Sequence, residues 1–246
     1  DDMGDIIMSF KAYVQNFYDM RDMAPVQHVG AHSRPFANAA KMGYDPAGTE
    51  WTYQYFSTCE ITYGGAALIA NHGPADHIFY ILEGEGYSMM NGKRYAYKAG
   101  DIMWTPGNYD HEMYPDGTAN LKFLVTLCPR GFKQSEPYIK NVNDAKVTEK
   151  EGVTFFTLAD EEITGSPTQE FHIVDVYPGA KLTLDTPKSD VIAYMYNGQC
   201  VATVDGEKLE MNRQEDAVVI PMGAKWEIEN VSKQCVRFAL SLSPCR

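Results

Sequence analysis

The chain has 246 residues, long enough for one large β domain or two of ordinary size, and 44% hydrophobic with 12% aromatic residues can fill a real core, which excludes disorder. With 33 acidic against 21 basic residues the formal charge is −12, which excludes nucleic acid and anionic membrane surfaces as partners, because phosphate binding needs a cationic excess. Five cysteines without a CxxC pair exclude a disulfide framework or a structural zinc site and point to a reducing, cytoplasmic setting. No apolar run approaches the ~18 residues of a membrane span, and no basic-then-apolar leader is read at Asp1.

In chain order, Ile6, Ile7, Phe10, Val14 and Phe17 fall close to helical spacing, so the pattern predicts an amphipathic helix over residues 5 to 22, ended by Pro25. From His28 to Gly48 the chain is rich in Ala, Gly, Pro and Asn and reads as an irregular arm. Residues 1–50 are therefore an N-terminal helix and arm. His28 and His32 within it read as exposed or hydrogen-bonded histidines, with a place on a pocket wall as the alternative. From Trp51 the texture changes to short strands with Gly-rich turns. Asn91-Gly92 is a strong two-residue hairpin signal, because both positions tolerate positive φ. This spacing predicts an all-β barrel over 51–128. Residues 129–152 are polar and turn-rich and read as a linker; 153–246 form a second barrel.

The second barrel repeats the first. Y-P-G-A-K-L-T-L-D-T-P-K-S-D-V-I-A-Y-M-Y-N-G lies over Y-G-G-A-A-L-I-A-N-H-G-P-A-D-H-I-F-Y-I-L-E-G, and nineteen positions separate Gly65 from Gly84 as they do Gly179 from Gly198. Asp205-Gly206 answers Asn91-Gly92. Three of the six histidines, His72, His77 and His111, stand at strand ends or turns of the first copy, and Thr186, Val191 and Trp226 replace all three in the second. Neutral imidazole is a common transition-metal ligand, and three converging imidazoles with open positions describe a catalytic metal site. Joint presence in one copy and joint loss in the other favours His72, His77 and His111 as metal ligands over three ordinary polar residues.

Strand alternation places Phe79 and Ile81 on the inward face with His77, and sends Ile78 and Tyr80 outward. Tyr109 and Met113 share the parity of His111. Met113 and Phe79 are thus candidate pocket walls, and Tyr109 a candidate acid–base group or simple rim packing. Arg34 and Arg94 are candidate carboxylate partners or surface salt bridges. Asp76 could ligate if the register slipped by one. His172 has no counterpart and reads as structural.

These residues resemble the cupin superfamily, and the doubled pattern resembles the bicupins. The family's first motif is G-x5-H-x-H-x3,4-E-x6-G and its second G-x5-P-x-G-x2-H. Gly84 closes the first motif here, with His77 where the family has Glu, His72 on its second histidine and Ala70 on its first. Gly100, Pro106 and His111 follow the second motif, with its glycine moved to Gly107. The resemblance implies two tandem jelly-roll barrels, metal-binding first and degenerate second. A site of three neutral imidazoles leaves a dication uncompensated and favours an anionic or chelating small-molecule substrate. It is similar to three-histidine cupin dioxygenases, and in size and duplication to ureidoglycine aminohydrolases. Three readings stay open: a non-haem Fe(II) dioxygenase, a non-redox lyase, isomerase or aminohydrolase using Mn(II), Ni(II) or Zn(II), and a binding bicupin without turnover. A homodimer would cover the exposed sheet edges.

Overall fold

Apolar residues alternate with polar ones in short runs closed by left-handed turns, and the backbone follows that pattern. In the computed structural model, which describes residues 10–23, 28–42, 55–128 and 136–244, almost every element is a strand. The hairpin expected at Asn91-Gly92 forms with φ of 45° and 79° and joins Glu85–Met90 to Lys93–Lys98. Its counterpart at Asp205-Gly206, with φ of 49° and 86°, joins Cys200–Val204 to Glu207–Met211. Both are the mirror-image turns that match strand twist. The four described cysteines form no disulfide with one another.

The two copies build two jelly-roll barrels. The first is a nine-stranded sheet rolled around Phe79, Ile81, Met103, Met113 and Phe123. The second consists of a seven-stranded and a four-stranded sheet closed over Leu182, Val191, Trp226 and Phe238. A further apolar cluster joins them: Ile78, Tyr80 and Trp104 meet Phe171, Ile192 and Tyr194, with Phe36 and Phe56 between. Strand Asp76–Glu83 therefore buries both faces, which is why it reads as an almost unbroken apolar run. Polar links cross the same seam. Lys122 Nζ donates to Glu215 Oε1 at 2.8 Å, Thr126 donates to the Gln169 side chain, and Gln169 Nε2 donates to the Asp76 carbonyl at 2.9 Å.

Three expectations are corrected. The described part of the expected helix is instead the strand Tyr13–Asn16 with a 3-10 turn at Phe17–Asp19; residues 1–9 lie outside the description. Tyr13–Asn16 pairs antiparallel with Asp216–Ile220 at the edge of the second barrel. A short run with aromatic and β-branched residues gains main-chain bonds on an open edge that a helix would leave bare. The expected arm is, over His28–Asn38, an eleven-residue strand paired with Tyr55–Ala70, followed by a helical turn at Ala39–Met42. The stretch read as a linker also contributes strands: Tyr138–Asn141 pairs with Asp101–Thr105 of the first barrel, and Lys146–Lys150 with Val153–Ala159 of the second.

The edge strands cross over. The segment that precedes the first barrel, Y-V-Q-N-F-Y-D, docks on the second; the segment that precedes the second, Y-I-K-N-V-N-D, docks on the first. Each uses its asparagine in the same way. Asn16 Nδ2 donates to Asp216 Oδ1 at 2.7 Å, and Asn16 Oδ1 accepts from Tyr18 N at 2.9 Å. Asn141 Nδ2 donates to Asp101 Oδ1 at 2.6 Å, and its Oδ1 accepts from Asn143 N at 3.1 Å. Asn16 is 2% exposed, whereas Asn141 is half-buried. Truncation to Ala leaves a carboxylate oxygen without its donor, so Asn16→Ala should cost about 1–3 kcal/mol and Asn141→Ala less, since water can replace the lost bond there. Urea denaturation of both variants checks the order.

Candidate metal centre

The second motif loop folds back on the first because Gly107 permits it. A Cβ on Gly107 would lie 2.5 Å from the Pro74 carbonyl oxygen, so the two loops touch backbone to backbone. Gly107 N–H also donates to Asp76 Oδ1 at 2.8 Å. The other Asp76 oxygen accepts from Ser166 Oγ at 2.7 Å and Thr168 Oγ1 at 2.8 Å, both from the second barrel. Asp76 is therefore a pin between loops and barrels, and its place as an alternative ligand is corrected: strand parity turns it away from His77. Burial pushes its carboxyl above the usual carboxylate range despite these bonds.

The clasp brings three imidazoles together. His77, on strand Asp76–Glu83, points into the barrel and is 4% exposed; His111 opens strand His111–Pro115 and is also buried; His72 lies exposed in the loop after Ala70. Ring centroids are 4.4 Å apart for His72 and His77, 4.9 Å for His77 and His111, and 5.4 Å for His72 and His111. Their ligand nitrogens lie within 4.8 Å of one another. Nitrogens sharing one ion through bonds of ~2.1 Å stand roughly 3–3.5 Å apart, so a modest closing of the rings suffices.

The chemistry of the donors fits a cation. Burial holds all three imidazoles below their usual range, His111 down to about 4 and His77 well below the ordinary value, with the neighbouring rings adding to the effect on His77. They are thus neutral at pH 7 with lone pairs available. His111 Nδ1 donates to the Tyr109 carbonyl at 3.3 Å, which leaves Nε2 as the ligand atom. Among the described residues, neither ring nitrogen of buried His77 has a hydrogen-bond partner. An imidazole in that position costs free energy unless something accepts its lone pair.

The second barrel shows the same frame closed without an ion. Met222 N–H donates to Asp190 Oδ1 at 2.8 Å, as Gly107 does to Asp76. There the would-be ligands satisfy each other: Trp226 Nε1 donates to Thr186 Oγ1 at 2.9 Å, and Val191 is fully buried beside them. Met222 stands in the place of Gly107, and the loops still meet, since Gly223 N–H donates to the Thr186 carbonyl at 3.0 Å.

Behind the histidines lies a cavity of about 200 Å³. Phe79 and Met113 line it, as expected, with Phe123, Val125 and Leu127. Tyr109 is not on its wall. Arg34 turns to the outer face, where its guanidinium lies 4.2 Å from the Phe17 ring centre and 3.8 Å from Glu60, and Arg94 stacks on Tyr87. His172 is structural: Nδ1 meets Thr157 Oγ1 and Nε2 meets Glu170. Sequence reading did not single out Ser33, Tyr55 and Cys59, which face the cavity along with His28. Their signal was alternation in the run Tyr55–Ile61, unreadable as a face until strand His28–Asn38 is laid beside it.

Residues 57–127 match the cupin domain family. Over 72 residues the chain is 32% identical to an oxalate-binding protein of Thermotoga maritima, covering 29% of this chain and 60% of that protein. Over 66 residues it is 30% identical to an uncharacterized protein of Methanocaldococcus jannaschii, covering 27% and 53%. Oxalate decarboxylase of Bacillus subtilis superposes with a TM-score of 0.72 at 14% identity, over 95% of this chain and 77% of that one. The glyoxylate-induced protein of Pseudomonas aeruginosa does so at 0.75 and 14%, over 97% and 90%. The first barrel is a cupin domain. The chain shares the decarboxylase's fold across both barrels, and its sequence likeness to the curated relatives extends over less than a third of its length.

Two outcomes follow for this cupin. Gly107→Ala must push the motif loops apart and should weaken divalent-metal affinity at least ~10-fold, as loss of a supporting contact at a metal site does; calorimetric titration of Zn(II) reads it. In the metal-free protein the folded imidazoles stay neutral below pH 6.5 while the unfolded ones take up protons. Stability should therefore fall as pH drops from about 6.5 toward 4, with His111 contributing about 3 kcal/mol. Denaturation at pH 5 and 7 should show that difference shrinking in a His77→Gln/His111→Gln variant.

Proposed function

We propose that this cupin holds one divalent ion in its first barrel through His72, His77 and His111 and uses it to bind and transform a small oxygenated carboxylate. The observation that carries the reading is the contrast between copies: buried His77 nitrogens lacking a partner among the described residues in one barrel, a closed Trp226–Thr186 hydrogen bond in the other. A bound dication would supply Lewis-acid polarisation of a chelating carboxylate or carbonyl, and as Fe(II) it would add oxygen chemistry.

The chain's own residues set the rest. Three neutral imidazoles bring no negative charge, so an anionic chelator is what would neutralise the site. Phe79, Met113, Phe123 and Leu127 keep water away from one side of the ligand. The Tyr109 carbonyl holds His111 in the tautomer that presents Nε2. Asp76 transmits the position of the second barrel to the loop that bears His111. The names of an oxalate-binding relative and of oxalate decarboxylase neighbours support a small organic acid as ligand. We read the reaction as dioxygenase cleavage of such an acid. Decarboxylation without oxygen is the second reading, favoured by the decarboxylase fold spanning both barrels.

Protein purified anaerobically should contain one metal ion per chain, and His77→Ala should lose it while keeping the fold by circular dichroism. Stoichiometric iron with acid-dependent oxygen uptake supports the dioxygenase. Oxygen-independent release of carbon dioxide from the acid with a redox-inert metal supports the second reading. Unchanged metal content in His77→Ala would end both.

A further inference from the structure

The cavity has a second polar end that the histidines do not explain. His77 stands opposite Leu127 in the sheet, and Leu127 stands opposite Tyr55. Tyr55 is therefore two strands from His77, roughly 10 Å between backbones. The Tyr55 hydroxyl hydrogen-bonds Ser33 Oγ; Ser33 Oγ donates to Ser57 Oγ at 3.3 Å, and Ser57 Oγ meets Cys59 Sγ at 3.4 Å. Ser33 and Ser57 are buried, and burial pushes the Tyr55 phenol and the Cys59 thiol up, so all four groups keep their protons at neutral pH.

Every other group between the two ends is apolar: Leu127, Val125, Phe79 and Phe123. Among the described residues no Lys, Arg, Asp or Glu lines the cavity. The other titratable rings on its wall, among the described residues, are His28, on the histidine side where it opposes protonation of His72 and His111, and His32, whose Nδ1 is held by the Asp22 carboxylate at 2.8 Å. Hydroxyls and a thiol can donate or accept a hydrogen bond by rotating, but they cannot offset a full charge buried among apolar side chains. A cavity of about 200 Å³ has room for a small organic acid that reaches from one end to the other.

We infer that Tyr55 and Ser33 are specificity residues that select a singly charged acid: its carboxylate end chelates the ion, and its far end is a neutral hydroxyl or carbonyl held by the Tyr55–Ser33–Ser57–Cys59 patch. A second carboxylate at that end is rejected. This inference rests on the metal-site reading above and narrows its ligand.

Three four-carbon 2-hydroxy acids that differ only at the far end test it on Zn(II)-loaded protein by calorimetry: 2,4-dihydroxybutanoate, 2-hydroxybutanoate and malate. The dihydroxy acid should bind at least ~10-fold more tightly than 2-hydroxybutanoate, the equivalent of one buried hydrogen bond, and malate should bind more weakly than either. Tyr55→Phe/Ser33→Ala should bring the dihydroxy acid to the level of 2-hydroxybutanoate, leaving metal content and 2-hydroxybutanoate affinity unchanged. Metal bound with malate equal or tighter, with none of the acids bound, or with the preference intact in the double variant overturns the inference alone. Failure to bind Zn(II) at all overturns the reading beneath it.

Discussion

The carboxylate of Asp76 is the constraint on which the site depends. It is fully buried, and its oxygens are committed to Gly107 N–H on one side and to Ser166 and Thr168 on the other. A buried carboxylate without donors would be among the costliest groups in the molecule, so those three donors are held in place by the group they satisfy. Because His77 follows it directly and Gly107 precedes His111 by four residues, fixing Asp76 fixes two of the three rings. The second barrel repeats the device with Asp190 and Met222, which shows that the pin belongs to the barrel frame and the histidines are an addition to it.

That addition has a visible counterpart in the copy that lacks it. Where barrel one leaves both His77 nitrogens without a partner among the described residues, barrel two has an indole donating to a hydroxyl across the same space, with aliphatic packing around it. One copy spends its frame on a polar opening; the other fills it and contributes packing surface and the donors for Asp76. The two barrels are thus unequal partners in one site.

Much of this was legible in the residues. Period-two alternation, the Asn91-Gly92 and Asp205-Gly206 turns and the equal glycine spacing reported a doubled β architecture, because turn chemistry and strand parity are local. The same parity placed His77, Phe79 and Ile81 inside and Ile78 and Tyr80 against the other barrel. What could not be read was pairing at a distance. Tyr13–Asn16 has helical spacing on paper and becomes a strand only because an edge two hundred residues away accepts it. Arg34 is a plausible anion partner by type and is turned outward by a register that depends on strand His28–Asn38. Tyr55 and Ser33 meet only across that same pairing. The repeated Y-x-x-N-x-x-D segments were a readable signal for the crossed edges, since two identical caps before two similar barrels ask for two similar docking sites.

The crossing has a consequence for how the chain comes into being. During synthesis the residues around Asn16 emerge about two hundred residues before the edge they cover, which is completed only with Asp216–Ile220. The first barrel, too, waits for Tyr138–Asn141, made after its own strands. The segment around Asn16 must stay unclaimed while both barrels are made, and a nascent chain halted between the barrels carries one uncovered sheet edge and one strand without a home.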